Sequence, residues 1–214
     1  MTVSFLLCLL LFLVAYLLGS IPTGYLIARW LKGIDIRQYG SGSTGATNVL
    51  RNLGKWPALV VFVVDVMKGV LAVLAVRLLY RFYPESIPSS WQDWLTVTCA
   101  LLAVVGHSKS IWLNFTGGKS VATGFGILLS INPLLGLGSF SVFLVVVAIS
   151  RIVSLSSIAA AIAVNILTWI VIPSPPYVTF ALLAGVYVIL RHRSNIERIL
   201  AGTEPRIGES HPVH

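Results

Sequence analysis

Charged side chains are scarce in this sequence: Asp, Glu, Lys and Arg make up only 10% of its 214 residues, and just seven residues are acidic. A soluble domain usually carries about 25% charged residues, because its surface faces water. Here 57% of the residues are hydrophobic and the mean hydropathy is +0.90. The sequence therefore excludes an ordinary soluble domain and predicts that lipid surrounds most of the protein. The net charge of +8 favours anionic partners, namely lipid headgroups, nucleic acid or phosphorylated small molecules.

Cysteine is also rare, with two residues in the chain. Cys8 and Cys99 both lie in apolar runs, which favours buried thiols over a disulfide or a metal site. We expect neither a metal nor any other cofactor. The first residues carry no basic cluster, and no small-residue cleavage site follows the first apolar run. We therefore interpret that run as a retained membrane span.

The apolar runs predict an all-α, polytopic integral membrane helical bundle, since a spanning helix needs roughly 20 mostly apolar residues. We predict about seven transmembrane helices, with five as the alternative, because the run at 121–131 is short for a straight span. The runs fall at about 3–31, interrupted at 19–22, then at 56–80, 94–105 and 121–131, with three more before residue 191. Residues 1–206 are predicted to form one membrane-embedded domain, and residues 207–214 a C-terminal tail.

Basic residues fall almost entirely on one side of this predicted bundle. Twelve of the 15 lie in the connections of that side, whereas Arg77 and Arg81 lie on the other side and Lys68 lies within a span. Basic residues concentrate in cytoplasmic loops. The bias therefore predicts an external N-terminus and a cytoplasmic C-terminus.

The first polar stretch contains Gly40-Ser-Gly-Ser-Thr-Gly45-Ala-Thr-Asn48, followed by Arg51. Glycines let a backbone approach a ligand closely, and successive N–H groups at a helix start bind anions. Hydroxyl and amide side chains beside Arg51 favour an anion site over the alternative, a flexible surface loop. The string also matches G-x-G-x-x-G, with Asp65 at the spacing of a ribose-binding acid. No strand precedes it and Asp65 falls inside a span, so we reject dinucleotide binding.

A second polar stretch, residues 106–124, contains Gly117-Gly118-Lys119-Ser. It resembles the end of a Walker A loop, but that motif needs a glycine where Leu113 stands, so nucleotide binding is rejected. A Gly-Gly-Lys turn that opens a helix can still bind phosphate. Lys109 is interpreted as a membrane anchor, whereas Lys119, with glycines before it, is the better candidate ligand.

A third stretch, residues 191–206, follows the last apolar run, and its basic residues alone would indicate only binding to lipid headgroups. His192 and Asn195 lie three apart on one helix face. Within a predicted span, Asp65 and Lys68 are also three apart, and an internal salt bridge is at least as good an interpretation as a substrate role. Ser154 follows another break, where a lone serine is more often a helix cap than a ligand.

Taken together, these stretches resemble the PlsY family, bacterial acyl-phosphate:glycerol-3-phosphate acyltransferases. The resemblance covers about residues 15–206 in order. It is carried by Gly40-Ser-Gly-x-x-Gly-Ala-Thr-Asn-x-x-Arg51, Asp65-x-x-Lys-Gly69, Gly106-His107, Gly117-Gly-Lys-x-Val-Ala-Thr123, Val153-Ser-Leu155 and Arg191-His-Arg-x-Asn195-Ile-x-Arg198.

The resemblance implies a multi-pass enzyme of the bacterial cytoplasmic (inner) membrane whose active site faces the cytoplasm. Such an enzyme moves a fatty acyl group from acyl-phosphate to the sn-1 hydroxyl of glycerol 3-phosphate in phospholipid biosynthesis, giving lysophosphatidic acid and inorganic phosphate. The implied catalytic residues are Ser41, Arg51, Lys119, Ser154, His192 and Asn195. The implied substrate-binding residues are Gly40, Gly42, Gly45, Thr47, Asn48, Gly117 and Gly118.

The mechanism expected from this resemblance needs no activated nucleophile, and no Ser-His-Asp arrangement is visible in the sequence. Acyl-phosphate is already an activated mixed anhydride, so orientation and charge stabilisation are expected to supply most of the rate.

Two rival functions remain open from the residues. Broken helices with glycine-rich ends also suit a transporter of an organic phosphate anion, although the breaks lie at one face and no inverted repeat is visible. A non-catalytic lipid-binding scaffold would not need hydroxyls clustered beside Arg51 and Lys119. Nucleic acid is not an expected partner, and the sequence does not determine the oligomeric state.

Overall fold

The computed structural model describes residues 2–208. Regular secondary structure in this range consists of helices, with one isolated bridge between Ser110 and Thr116. The α-helices of the described residues are α1 (Thr2–Ser20), α2 (Thr23–Lys32), α3 (Ala46–Leu53), α4 (Lys55–Phe82), α5 (Gln92–Ser108), α6 (Val121–Ile131), α7 (Pro133–Ser150), α8 (Val153–Val171), α9 (Pro175–Arg191) and α10 (Arg193–Leu200).

Four segments of the described chain are long and apolar enough to cross a membrane: Val3–Lys32, Lys55–Phe82, Pro133–Ser150 and Val153–Val171. Helices α6 and α9 are also apolar but shorter. The predicted all-helical membrane fold is confirmed. The number of spans, the path of α6 and the sides of the termini stay predictions.

The predicted interruption of the first apolar run lies between α1 and α2, at Ile21 and Pro22. A proline in a helix removes one backbone donor and leaves carbonyl groups without helical partners. Side chains from elsewhere satisfy two of these carbonyls: the Ser110 hydroxyl donates to Ser20, and the Lys68 ammonium donates to Ile21. Lys68 also pairs with Asp65, so the predicted internal salt bridge is confirmed.

Glycines bring the central helices into close contact. A Cβ atom at Gly19 of α1 would lie 2.2 Å from the carbonyl oxygen of Ala103 on α5. A Cβ atom at Gly126 of α6 would lie 2.0 Å from the carbonyl oxygen of Val66 on α4. Small residues at helix contacts let backbones approach closely, as is common in membrane bundles. These contacts hold α1 against α5 and α4 against α6 beneath the polar stretches.

Four polar connections lie at one end of the bundle, which we call the site end: residues 33–54, 109–120, 150–152 and 192–208. Hydrogen bonds join them in pairs. The Arg37 guanidinium donates to Thr116, which links the first connection to the second. Arg151 donates to the carbonyl of Ile207, which links the third connection to the fourth. Segments far apart in the sequence thereby enclose one space.

Candidate active site

Side chains from the site end line one cavity of about 150 Å³. Its lining includes all six predicted catalytic residues and three predicted substrate-binding residues: Ser41, Arg51, Lys119, Ser154, His192 and Asn195, with Gly45, Thr47 and Asn48. Gly40, Gly42, Gly117 and Gly118 lie in the two turns beside the lining. The structure thus brings the predicted residues together, and their individual roles stay predictions.

Asn48 organises the glycine-rich turn before α3. Its amide nitrogen donates to the carbonyl of Ser43 at 2.8 Å, and its amide oxygen accepts from the backbone N–H of Ser41 at 3.0 Å. Gly40 has a φ of +56°, and a Cβ atom there would lie 2.4 Å from the Asn48 amide oxygen. Asn48 itself is almost completely buried. Its polar atoms therefore hold the turn that presents Ser41, and the substrate-binding role that the resemblance implies for Asn48 stays a prediction.

Arg51, on α3, is a cation of the cavity without an internal partner. Its guanidinium lines the space and forms no hydrogen bond or ion pair within residues 2–208. Burial lowers the pKa of Arg51 from its usual value, yet a guanidinium stays protonated at neutral pH. A planar cation with five free N–H donors at a cavity wall suits a phosphate group.

Lys119 reaches the cavity from the Gly117–Gly118 turn. The Gly118 N–H donates to the carbonyl of His107 at 3.2 Å, and a Cβ atom on Gly118 would lie 2.2 Å from the His107 Nε2 atom. The Lys119 ammonium donates to the side-chain oxygen of Asn195. The pKa of Lys119 is lowered to about 8, mainly because the ammonium is buried. The Glu204 carboxylate opposes this shift, and nearby arginines add to it. The ammonium is therefore charged at neutral pH, and its charge is lost near pH 8.

His192 lies between α9 and α10, and its Nδ1 atom is 2.8 Å from the carbonyl oxygen of Val188. A carbonyl can only accept, so Nδ1 carries the hydrogen of the neutral ring and Nε2 is left as an acceptor. Burial lowers the pKa of His192 to about 4, which keeps the ring neutral at pH 7. A neutral imidazole of this kind can accept a hydrogen bond from a substrate hydroxyl, but it is a weak base.

Glu204 is a cavity residue to which the sequence reasoning gave no role. Its carboxylate accepts from the Ser154 hydroxyl at 2.7 Å, the Asn195 amide at 2.6 Å and the Arg198 guanidinium at 2.7 Å. Burial opposes its charge, but these hydrogen bonds hold the pKa of Glu204 below its usual value. Ser154 is therefore held by a carboxylate and does not cap α8. The available signal was that this strongly basic segment contains only two acids, Glu197 and Glu204, between residues 191 and 206.

An apolar cavity of about 110 Å³ adjoins the polar one. Six residues line both spaces: Phe62, Ser120, Val121, Ala122, Phe143 and Ser157. Phe62, Phe125 and Phe140 form stacked pairs along the apolar side, with ring centroids 6.4 and 4.7 Å apart. A polar space that opens into an apolar one between membrane helices fits a molecule with a charged head and a hydrocarbon tail. In the described chain, no cluster of three or more His, Cys, Asp or Glu side chains is placed to hold a metal.

Comparison with known proteins gives matches along almost the whole chain. A family model described as "Glycerol-3-phosphate acyltransferase" matches residues 9–202. A curated protein of that name from Rippkaea orientalis is 59% identical over 201 residues, covering 94% of this chain and 93% of its own length. Another, from Synechocystis sp., is 57% identical over 210 residues, covering 98% and 95%.

Two crystal structures of PlsY (YgiH), described as an integral membrane glycerol 3-phosphate acyltransferase, are also similar. The glycerol 3-phosphate form has a TM-score of 0.85 at 38% identity and covers 94% of this chain and 96% of that chain. The lysophosphatidic acid form has a TM-score of 0.82 at 37% identity and covers 94% and 95%.

Proposed function

The chain belongs to the glycerol-3-phosphate acyltransferase family of integral membrane enzymes, and on that premise we propose its donor and its product. The donor is acyl-phosphate, and the acyl group goes to the sn-1 hydroxyl of glycerol 3-phosphate. The products are lysophosphatidic acid and inorganic phosphate.

The observation that carries this proposal is the junction between the two cavities. The polar cavity offers cations and hydroxyls, and the apolar cavity offers phenylalanine rings among membrane helices. An acyl-phosphate has its reacting carbonyl where a phosphate meets a hydrocarbon chain. The residues shared by both linings, such as Ser120 and Phe143, are therefore the wall beside which this carbonyl would lie.

Two phosphate-bearing substrates must share the polar cavity. We assign the Gly40–Gly45 turn and Lys119 to the acyl-phosphate. Arg51, His192 and Asn195 position glycerol 3-phosphate, and the similar PlsY crystal structure in its glycerol 3-phosphate form supports that acceptor. The charges favour two anions, because Arg51 and Lys119 both line the space.

The reaction then proceeds as a single acyl transfer. The sn-1 hydroxyl oxygen of glycerol 3-phosphate attacks the acyl carbonyl carbon, and the bond from that carbon to the phosphate oxygen breaks. The hydroxyl proton passes to a substrate phosphate, since the pKa of His192 near 4 makes its ring a weak proton acceptor. The Nε2 atom of His192 orients the hydroxyl, while Lys119 stabilises the negative charge that develops on the leaving phosphate.

We also propose that the site end faces the cytoplasm and that the protein lies in the bacterial inner membrane. Twelve of the 15 basic residues were assigned to this side from the sequence, and basic loops are typically cytoplasmic. Glycerol 3-phosphate would then enter, and inorganic phosphate would leave, on the cytoplasmic side, while the lysophosphatidic acid stays in the bilayer.

The proposed function is tested by giving the purified protein acyl-phosphate and glycerol 3-phosphate and measuring release of phosphate and formation of lysophosphatidic acid. Activity should require both substrates, and acyl-CoA or acyl carrier protein should not replace acyl-phosphate. Comparable rates with either thioester would overturn the proposed donor. Absence of any product would leave the phosphate-transporter alternative, which vesicle uptake of glycerol 3-phosphate then checks.

Replacing Arg51 is the most direct test of the assigned site in the same assay. Arg51→Ala is expected to lower turnover about 10²–10³-fold, as when a preorganised donor is lost from an oxyanion site. Arg51→Lys should also be damaging, because it keeps the charge but loses the planar donor fork. Lys55→Ala is the control, since Lys55 is exposed at the start of α4 and does not line the cavity. Equal activities of Arg51→Ala and Lys55→Ala would remove Arg51 from the site.

A further inference from the structure

Arg191 and Arg193 are two residues apart in one basic cluster, yet the structure gives them different environments. The Nη2 atom of Arg191 donates to the carbonyl of Gly118 at 3.2 Å and lies 3.5 Å from that of Gly117. The Nε atom of Arg191 is buried and has no hydrogen-bond partner in the described part of the chain. The side chain of Arg193, in contrast, is 86% exposed and, among residues 2–208, pairs only with Glu197. Arg193 therefore fits the role of a membrane anchor, whereas Arg191 does not.

The contact with Arg191 fixes the orientation of the peptide groups in the Gly117–Gly118 turn. In a planar trans peptide, the N–H of one residue points opposite to the carbonyl of the residue before it. Arg191 holds the Gly118 carbonyl, so the N–H of Lys119 points away from the guanidinium. On the other side of the turn, the Gly118 N–H donates to the carbonyl of His107. The turn is thus held from α9 and from α5.

The backbone that follows this turn has N–H groups that are available to bind a ligand. Helix α6 begins at Val121, and its first hydrogen bond at this end runs from the Gly124 N–H to the Ser120 carbonyl. The N–H groups of Val121, Ala122 and Thr123 therefore have no helical partner, as at any helix start. Lys119, Ser120, Val121 and Ala122 all line the polar cavity, whereas Arg191 does not.

We propose that Arg191 is a positioning residue for phosphate binding: it holds the Gly117–Gly118 turn so that Lys119 and the first amides of α6 face the substrate phosphate. It acts through the backbone and does not touch substrate. The proposal rests on the proposed function, since it takes a substrate phosphate as the ligand of that turn. It also explains why a half-buried cation contacts two carbonyls beside a cavity whose lining already holds two cations, Arg51 and Lys119.

The test compares Arg191→Gln, Arg191→Lys and the matched control Arg193→Gln in the acyltransferase assay. Arg191→Gln should raise the KM of at least one phosphate substrate by roughly tenfold, as expected when a charged hydrogen-bond donor is lost. Its kcat should change less than its KM. Arg191→Lys, which keeps a donor and the charge, should recover part of this loss, and Arg193→Gln should match the unmodified protein.

A binding measurement separates this inference from the proposed function. Glycerol 3-phosphate and inorganic phosphate are each added to the detergent-solubilised protein, and the shift in melting temperature is recorded. The shift should be present in Arg193→Gln and strongly reduced in Arg191→Gln at an unchanged ligand-free melting temperature. Unaltered KM values and ligand-induced shifts in Arg191→Gln would overturn the inference. A lowered ligand-free melting temperature with unaltered KM would likewise do so, because it would make Arg191 a stabilising residue only. A missing acyl transfer with intact ligand shifts would overturn the proposed donor instead.

Discussion

At the scale of single residues, the cavity lining combines two cations with two carboxylates, of which Asp65 is paired with Lys68. Arg51 and Lys119 face the space, and Glu204 lies among Ser154, Asn195 and Arg198. The carboxylate gives Asn195 a fixed orientation, and Asn195 in turn accepts from Lys119. The result is a chain of hydrogen bonds that holds a cation in place while the cavity keeps a positive charge for phosphate.

The charge of Lys119 predicts how activity depends on pH. The pKa of Lys119 is lowered to about 8, so the ammonium is present below that pH and is lost as the pH rises through it. In wild type, kcat/KM for acyl-phosphate, measured at a fixed concentration of glycerol 3-phosphate, should therefore fall above about pH 8, since kcat/KM reports groups of the free enzyme. Lys119→Arg keeps its charge throughout this range and should lack the alkaline fall. The measurement is a pH profile of both proteins, and an identical alkaline fall in Lys119→Arg would assign the titration to another group.

Replacing Glu204 is expected to reduce both the stability and the activity of the protein. Glu204→Gln leaves the Arg198 and Asn195 donors with a neutral partner, which should lower the free energy of unfolding by about 1–3 kcal/mol. Because the pKa of Glu204 is lowered in the folded protein, its contribution is present at neutral pH and disappears as the pH falls through that pKa. The difference in melting temperature between wild type and Glu204→Gln should therefore narrow in acid.

The matched control for this change is Glu197→Gln. The Glu197 side chain is 64% exposed on α10, and its one salt-bridge partner within the described residues is Arg193. Exposed pairs of this spacing contribute about 0.3–0.5 kcal/mol. If Glu197→Gln lowered turnover as much as Glu204→Gln, the carboxylate network would have no special role.

At the scale of elements, glycine contacts set the distance between α4 and α6. Gly69 of α4 lies against the Thr123 carbonyl of α6, and Gly126 of α6 lies against the Val66 carbonyl of α4. Helix α6 begins at Val121, two residues after Lys119, so this contact also fixes the height of the Gly117–Gly118 turn above the bundle. Packing inside the bundle thereby controls the geometry of the site.

Two glycines of the same helix give a controlled test of that packing. In Gly126→Ala the new methyl group would lie 2.0 Å from a backbone oxygen, so α6 must move and the protein should lose about 1–3 kcal/mol of stability. In Gly124→Ala no atom of the described residues, apart from the adjacent backbone of α6 itself, lies within 4 Å of the new methyl group, and stability should be unchanged or slightly higher. Melting temperatures in detergent compare the two. Equal values would show that α6 adapts freely and that its contact with α4 does not determine its position.

At the scale of the whole molecule, the site end gathers the chemistry on one side of the apolar helices. The connection between α4 and α5, residues 83–91, lies at the opposite end. A reporter fused after His214 should therefore read as cytoplasmic, and one inserted within residues 84–90 should read as external. The assay is reporter activity in intact bacterial cells. A cytoplasmic signal from residues 84–90 would reverse the orientation and place the site outside.

The sequence by itself determined the class of the protein and the location of its polar segments. Hydropathy and low charge depend on composition over stretches of about 20 residues, which suffices to predict a helical membrane bundle. Glycines before Arg51 and before Lys119 predicted the two turns, since φ values and close backbone approach are local properties. The order of these motifs carried the family resemblance. The salt bridge between Asp65 and Lys68 could also be predicted from the sequence, because helix periodicity places residues three apart on one face.

Only the tertiary structure decided which of these polar groups form hydrogen bonds within the protein and which stay free to meet a substrate. Asn48 holds its own turn, and Glu204 meets Ser154 across a separation of 50 residues. Arg191 and Arg193 look alike in the sequence, but only Arg191 reaches the carbonyls of the Gly117–Gly118 turn. The apolar cavity needs walls from α4, α6, α7, α8 and α9 together. These features depend on how distant helices pack, and packing is set by the fit of whole surfaces, which no local pattern of residues specifies.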